Sequence, residues 1–190
     1  MKFIIGIGNP EKQYQKTRHN VGFEIVDRLA GDADWQYKGA FTAQFCRHSE
    51  HVYLVKPETY VNRTGLTAAA LYKKYHPLVS NCLFVVDDAN LDFGKLRLRE
   101  SGSAGGHHGL ESAIESLGTD AFPRLRFGIR SQAMPSQLPD FVLGKFDRAE
   151  SKLLPVLLDN AASVCQAWAL EGMAAAQNRL SRLQSLATGH

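Results

Sequence analysis

Apolar positions along the chain recur with two different periods. Phe3, Ile4, Ile5 and Ile7, interrupted by Gly6, and the run Leu83-Phe84-Val85-Val86 are apolar without alternation, which predicts strands buried on both faces. Elsewhere the period is helical. Val21, Ile25, Val26 and Leu29 lie on one face and stop at Gly31, with Thr17 or Asn20 as the N-cap; 66–75 and 110–117 repeat the pattern, the latter stopping at Gly118. Leu153, Leu154, Leu157, Leu158, Ala161, Val164, Cys165 and Trp168 give a longer helix ending at Gly172. If Ser151 caps it, Pro155 falls in the first turn; an earlier start predicts a kink. The segments 41–47 and 52–56 read as a hairpin across Ser49-Glu50-His51, and the stretch after Gly172 reads as a surface helix fraying towards His190. With no repeat and no linker, residues 1–190 read as one domain in which apolar strands alternate with helices, hence an α/β fold.

In such folds ligands bind at the carboxyl ends of strands, so polar residues there carry the functional reading. The first strand ends at Asn9-Pro10, the second fully apolar strand at Asp87-Asp88, and Asn62 follows the second hairpin strand. Asn62 alone would be no more than a helix cap, and Asn9-Pro10 no more than a turn. Their recurrence at three strand ends, with His19 at a helix start, predicts a site where a carboxylate orients an imidazole and amides hold a substrate. The partial positive charge of the helix end is expected to keep His19 neutral. Gly6-Ile7-Gly8 lacks the third glycine of a dinucleotide fingerprint.

Composition narrows the class. With 44% hydrophobic and 22% charged residues and a net charge of +3, the chain is an ordinary globular one that permits an anionic partner. Cys46, Cys82 and Cys165 show neither disulfide nor zinc spacing, which agrees with a reducing cytoplasm. The N-terminal apolar run is too short for a signal peptide, and no membrane-length apolar segment is expected anywhere.

The charges are patterned. Lys95-Leu96-Arg97-Leu98-Arg99 alternates, placing its cations on one strand face, and 124–130 repeats the device with Arg124, Arg126 and Arg130. Either strand alone is a solvated face; together they suit phosphates. Between them the small-residue loop 101–109 runs into a helix N-terminus, a natural anion site. Ser103 is not a nucleophile elbow, because Ser101 stands where glycine is needed, and adjacent His107 and His108 cannot copy a zinc-binding i, i+4 pair, while a mixed site with His19 and Asp87 stays open. Pro135 and Pro139 mark 131–140 as a mobile loop or lid.

Gly8-Asn9-Pro10, Tyr14, Thr17-Arg18-His19-Asn20, Thr59-Tyr60-Val61-Asn62, Asp87-Asp88, Gly105-Gly106-His107 and Phe141-Val142-Leu143-Gly144-Lys145 follow in order over nearly the whole chain. In this the sequence resembles bacterial peptidyl-tRNA hydrolases. The resemblance implies a single-domain three-layer α/β/α sandwich with a twisted mixed sheet, a monomer that acts in the cytoplasm without a metal or cofactor. It implies hydrolysis of the ester between a peptide and the terminal ribose of tRNA. His19 matches the catalytic histidine and Asp87 its supporting aspartate. Asn9 and Asn62, with Tyr14, Tyr60 and His108, match substrate-binding positions, and Arg99 and Arg126, with Arg97, match the basic positions for tRNA phosphate.

Three positions depart from the family pattern: Glu11 stands for glycine, Val61 for methionine and His108 for asparagine. Two other readings remain open from the residues, an RNA-binding module of the same fold without hydrolysis, and a metal-dependent amidohydrolase built on His19, His108 and Asp87.

Overall fold

The computed structural model describes residues 1–131 and 138–188. Its strands are β1 (Lys2–Gly6), β2 (Gln36–Lys38), β3 (Ala43–Ser49), β4 (Val52–Pro57), β5 (Cys82–Asp92), β6 (Leu96–Arg99) and β7 (Arg124–Arg130). Its α-helices are α1 (Val21–Ala30), α2 (Thr64–Tyr75), α3 (His108–Leu117), α4 (Leu138–Leu143), α5 (Arg148–Glu171) and α6 (Met173–Thr188). The strands form one sheet in the order β2-β3-β4-β1-β5-β7-β6. β4, β1, β5 and β7 run parallel, while β2 and β3 extend one side and β6 the other through antiparallel pairings.

Strand alternation sorts the apolar side chains into two cores. Ile4, Leu83, Val85, Leu125 and Phe127 pack with Ile25 of α1, Leu158 and Trp168 of α5 and Leu180 of α6. Phe3, Ile5, Phe84 and Val86 pack on the opposite face with Leu71 of α2 and Leu110 of α3. A sheet covered on both faces by helices is the three-layer sandwich expected, and it accounts for the unbroken apolar runs of β1 and β5. The antiparallel hairpin is also as expected, with β3 and β4 turning at Glu50 and His51.

Glycines set the approach of α1 to the sheet. A Cβ on Gly6 would lie 2.4 Å from the Gly22 carbonyl oxygen, and one on Gly22 2.4 Å from that of Val85. Helix backbone therefore rests directly on β1 and β5, which brings the residues just before α1 over the carboxyl edge of the sheet.

Several expectations are corrected. β5 does not stop at Val86, because β7 continues to pair with it through Asp87↔Phe127 and Asp88↔Gly128 after β1 has ended opposite Val85. β2 went unseen in the sequence, since its Gln36, Tyr37 and Lys38 are all exposed and show no apolar alternation. α5 begins earlier than a Ser151 cap would allow. Asp147 is its N-cap in a reciprocal capping box with Glu150, so Pro155 lies beyond the first turn, inside the helix. That helix is long and apolar enough to cross a membrane by length and composition, with a mean hydropathy of 1.3 in its best window, contrary to the sequence expectation. Its apolar face is explained by the core that it forms with α1 and the sheet. Of the lid expected at 131–140, residues 132–137 lie outside the described residues, and Leu138 begins α4.

Candidate active site

A cleft of about 600 Å³ crosses the carboxyl ends of the central strands. Tyr60, Val61 and Asn62 come from the segment after β4, Asn9 from that after β1, Asp87 from β5, Arg126 from β7, and His107 and His108 from the start of α3. Pro139, Val142 and Leu143 of α4 form an apolar wall of the cleft.

His19 lies in a single 3-10 turn, Arg18–Asn20, that leads into α1. Its Nδ1 is 2.7 Å from Asp87 Oδ1, and the same oxygen lies 3.0 Å from His107 Nε2. Asp87 is 3% exposed, and both imidazoles are largely enclosed. Burial raises the Asp87 carboxyl, but the two imidazoles outweigh it and hold the group well below the usual carboxylate range. For His19, burial pushes the pKa down while the charge and hydrogen bond of Asp87 push it up, and the carboxylate prevails, so the pKa is raised. The expectation that the helix start alone keeps His19 neutral is thus corrected: a buried anion at hydrogen-bonding distance acts more strongly than a partial charge at a helix end.

His107, left open in the sequence for a mixed site with His19 and Asp87, is brought to that carboxylate by the structure. It is the N-cap of α3, and its Nδ1 accepts from the backbone N–H groups of Gly109 at 3.2 Å and Leu110 at 3.3 Å. A neutral imidazole has a single lone-pair nitrogen, so the hydrogen of His107 resides on Nε2 and is donated to Asp87. The signal was partial, since Gly105-Gly106-His107 was singled out but the helical pattern was read only from Leu110, which hid His107 as the cap.

Donor type alone would let His19, Asp87 and His107 hold a metal, their ligand atoms all lying within 4.8 Å of one another. The hydrogen bonds argue otherwise: while Nδ1 caps α3, Nε2 of His107 has no lone pair to give. The trio is built as two donors on one carboxylate oxygen. His108, on which the metal reading depended, stands apart, exposed at the cleft rim with Nδ1 2.9 Å from Glu111 Oε2. Asp88 is likewise separate; it accepts from the Asn90 N–H and pairs with Arg126.

The asparagines are held as a unit. Asn20, expected as a side-chain cap, instead bonds the Asn9 backbone twice, Oδ1 accepting from its N–H and Nδ2 donating to its carbonyl, each at 2.9 Å. Asn9 Oδ1 accepts from the Val61 N–H at 3.0 Å, which turns the Asn9 amide hydrogens to the cleft. Asn62 is exposed on the cleft lining in a 3-10 turn and caps nothing, since Arg63 precedes α2. Tyr60 lines the cleft; Tyr14 is not part of that lining, and its backbone carbonyl accepts from Thr17 Oγ1 at 2.7 Å within its own loop.

The two basic strands diverge. Arg97 and Arg99 on β6 are exposed, with Leu96 and Leu98 buried. On β7, Arg124 and Arg126 are 1% and 7% exposed, so the expected solvated face is corrected to Arg130 alone. β7 lies inside the sheet, and its arginines bind the glycine-rich loop. Arg124 donates to the Gly102 carbonyl and to that of Asp120 at 2.6 Å, Arg126 to those of Ser103 and Ala104 at 2.8 and 2.9 Å.

A family model described as peptidyl-tRNA hydrolase matches residues 3–187. A peptidyl-tRNA hydrolase of Chlorobaculum parvum is 42% identical over 187 residues, covering 96% of this chain and 98% of that one, and one of Desulforamulus reducens is 41% identical over 186 residues, covering 96% and 89%. The crystal structure of peptidyl-tRNA hydrolase from Acinetobacter baumannii superposes with a TM-score of 0.84 at 31% identity over 95% of this chain and 94% of that one. The chain belongs to the peptidyl-tRNA hydrolase family.

Proposed function

We propose that the chain hydrolyses the ester joining a peptide to the ribose of tRNA, with His19 as general base. The observation that carries this reading is the 2.7 Å contact of His19 Nδ1 with Asp87 Oδ1 inside the cleft. An ionised Asp87 accepts from Nδ1–H, which leaves the lone pair of the neutral ring on Nε2. Nε2 takes a proton from water as the oxygen attacks the ester carbonyl, and Asp87 stabilises the imidazolium so formed. Collapse of the tetrahedral intermediate breaks the bond to the ribose oxygen, which recovers the proton from His19. The amide hydrogens of Asn9 and the side chain of Asn62 hold the carbonyl and the developing oxyanion. No covalent link to the enzyme forms.

Arg97 and Arg99 are the tRNA phosphate contacts in this reading, and Arg126 supports them indirectly by fixing the loop beside the cleft. His107 orients Asp87, and His108 contacts substrate at the rim. The chain works as a single-domain monomer over 1–190, in the cytoplasm and away from membranes. Incubation with N-acetyl-aminoacyl-tRNA, with and without a chelator, tests the reading: deacylation insensitive to chelation is expected, and its absence would overturn the assignment. A chelator-sensitive reaction would restore a metal-dependent mechanism.

A further inference from the structure

We propose that Glu11 and Tyr60 form a specificity-determining pair that favours a cationic peptide side chain at the end of the cleft remote from the basic strands. The inference rests on the hydrolase reading above for its orientation. Strand order places β7 and β6 at one end of the cleft and the segment after β4 at the other. With tRNA phosphate on Arg97 and Arg99, and His19 and Asp87 between, the peptide extends towards Tyr60.

Tyr60 is held unusually there. Its φ of 62° with ψ of 156° is a conformation that glycine adopts and a bulky L-residue rarely does. It is fixed by the Arg63 N–H bonding its carbonyl at 3.1 Å, by the Val61 N–H on Asn9, and by its own hydroxyl, which donates to the Glu11 carboxylate. The second Glu11 oxygen accepts from Gln13 Nε2 at 2.6 Å. Both donors are neutral, and among the described residues no cation pairs with this carboxylate. The phenol of Tyr60 is correspondingly raised, by the Glu11 hydrogen bond first and its charge second. Arg63 lines the same end and does not neutralise Glu11. A strained aromatic at the wall thus anchors an unneutralised carboxylate beside the path of the peptide, and lysine or arginine is the complementary peptide residue.

The test uses one tRNA charged with N-acetyl-Xaa-Ala, where Xaa is Lys or Glu, so that the tRNA contribution cancels. Exposed pairs are weak, so the lysyl to glutamyl ratio of kcat/KM is expected to be roughly three- to tenfold at low salt and to fall towards one at high salt. Glu11→Gln should bring the ratio near one, Tyr60→Phe should give an intermediate value, and Arg63→Gln should raise it. A ratio near one in the starting protein, or one that Glu11→Gln leaves intact, overturns the proposal. If no substrate is hydrolysed, the hydrolase reading fails, and the pair is judged by NMR. Free N-acetyl-Lys-Ala should then shift the Tyr60 ring resonances in the starting protein and not in the Glu11→Gln variant; equal shifts, or none, overturn it.

Discussion

Two helix starts each deliver an imidazole to one carboxylate oxygen, and they use it in opposite ways. At the start of α3, His107 turns Nδ1 to the backbone N–H groups of the helix and Nε2 to Asp87, so both nitrogens are committed. At the start of α1 the cap position falls to Asn20, and His19 commits Nδ1 to Asp87 while, among the described residues, its Nε2 has no hydrogen-bond partner. The ring with a spare nitrogen can exchange a proton with a ligand; the other can only position. Proximity to the shared carboxylate therefore does not identify a base. What identifies it is which ring nitrogen remains uncommitted.

That contrast is broken most severely at His19. His19→Ala should lower turnover on N-acyl-aminoacyl-tRNA by roughly 10²- to 10⁴-fold, the usual worth of a general base, with little change in tRNA affinity in a binding titration. Next in size is the contrast between the basic strands. Arg97→Ala or Arg99→Ala should raise KM for full-length tRNA several-fold and reduce the salt slope of binding by roughly one, sparing small ester substrates. Arg126→Ala should act differently. It removes a buried cation from Asp88 and two loop carbonyls, so a lowered thermal midpoint is expected along with losses on both kinds of substrate. The smallest effects belong to the adjacent histidines. His107→Ala should cost about 1 kcal/mol in chemical unfolding as a lost cap, together with a several-fold drop in kcat. His108→Ala, an exposed change, should leave unfolding within about 0.5 kcal/mol of the starting protein.

The legible part of the molecule was what each segment writes in its own pattern. β1 and β5 announced burial on both faces, and α1 and α3 their closing glycines. What depends on neighbours was not written. Leu96 to Arg99 and Arg124 to Arg130 share one alternation, yet β6 is an edge and β7 is internal, so the same arginines are solvated in one and spent on loop carbonyls in the other. Asp87 read as a strand end because the apolar run stops at Val86; the pairing that prolongs β5 is made by a strand some forty residues later. Asp147 and Glu150 did carry a capping signature, but Pro155 drew the helix start towards Ser151. His19 and Asp87 were found from strand-end and helix-start logic, whereas the direction of the His19 pKa shift required their distance.

The division between the two imidazoles is tested most directly by following both rings and the reaction through the same pH range. Nitrogen-15 NMR of the side chains should show, at high pH, His19 with its hydrogen on Nδ1 and His107 with its hydrogen on Nε2. The raised His19 pKa places its titration above the unperturbed value of about 6.5, and the acid limb of kcat/KM should coincide with it, because only the neutral ring accepts a proton. By linkage, the interaction that raises it contributes stability fully below about 6.5 and loses that contribution as pH rises through the folded-state value. In Asp87→Asn the raising influence is gone and burial remains, so both the titration and the limb should move down together. A His19 ring with its hydrogen on Nε2, or an acid limb that stays in place when Asp87 loses its charge, would contradict the account.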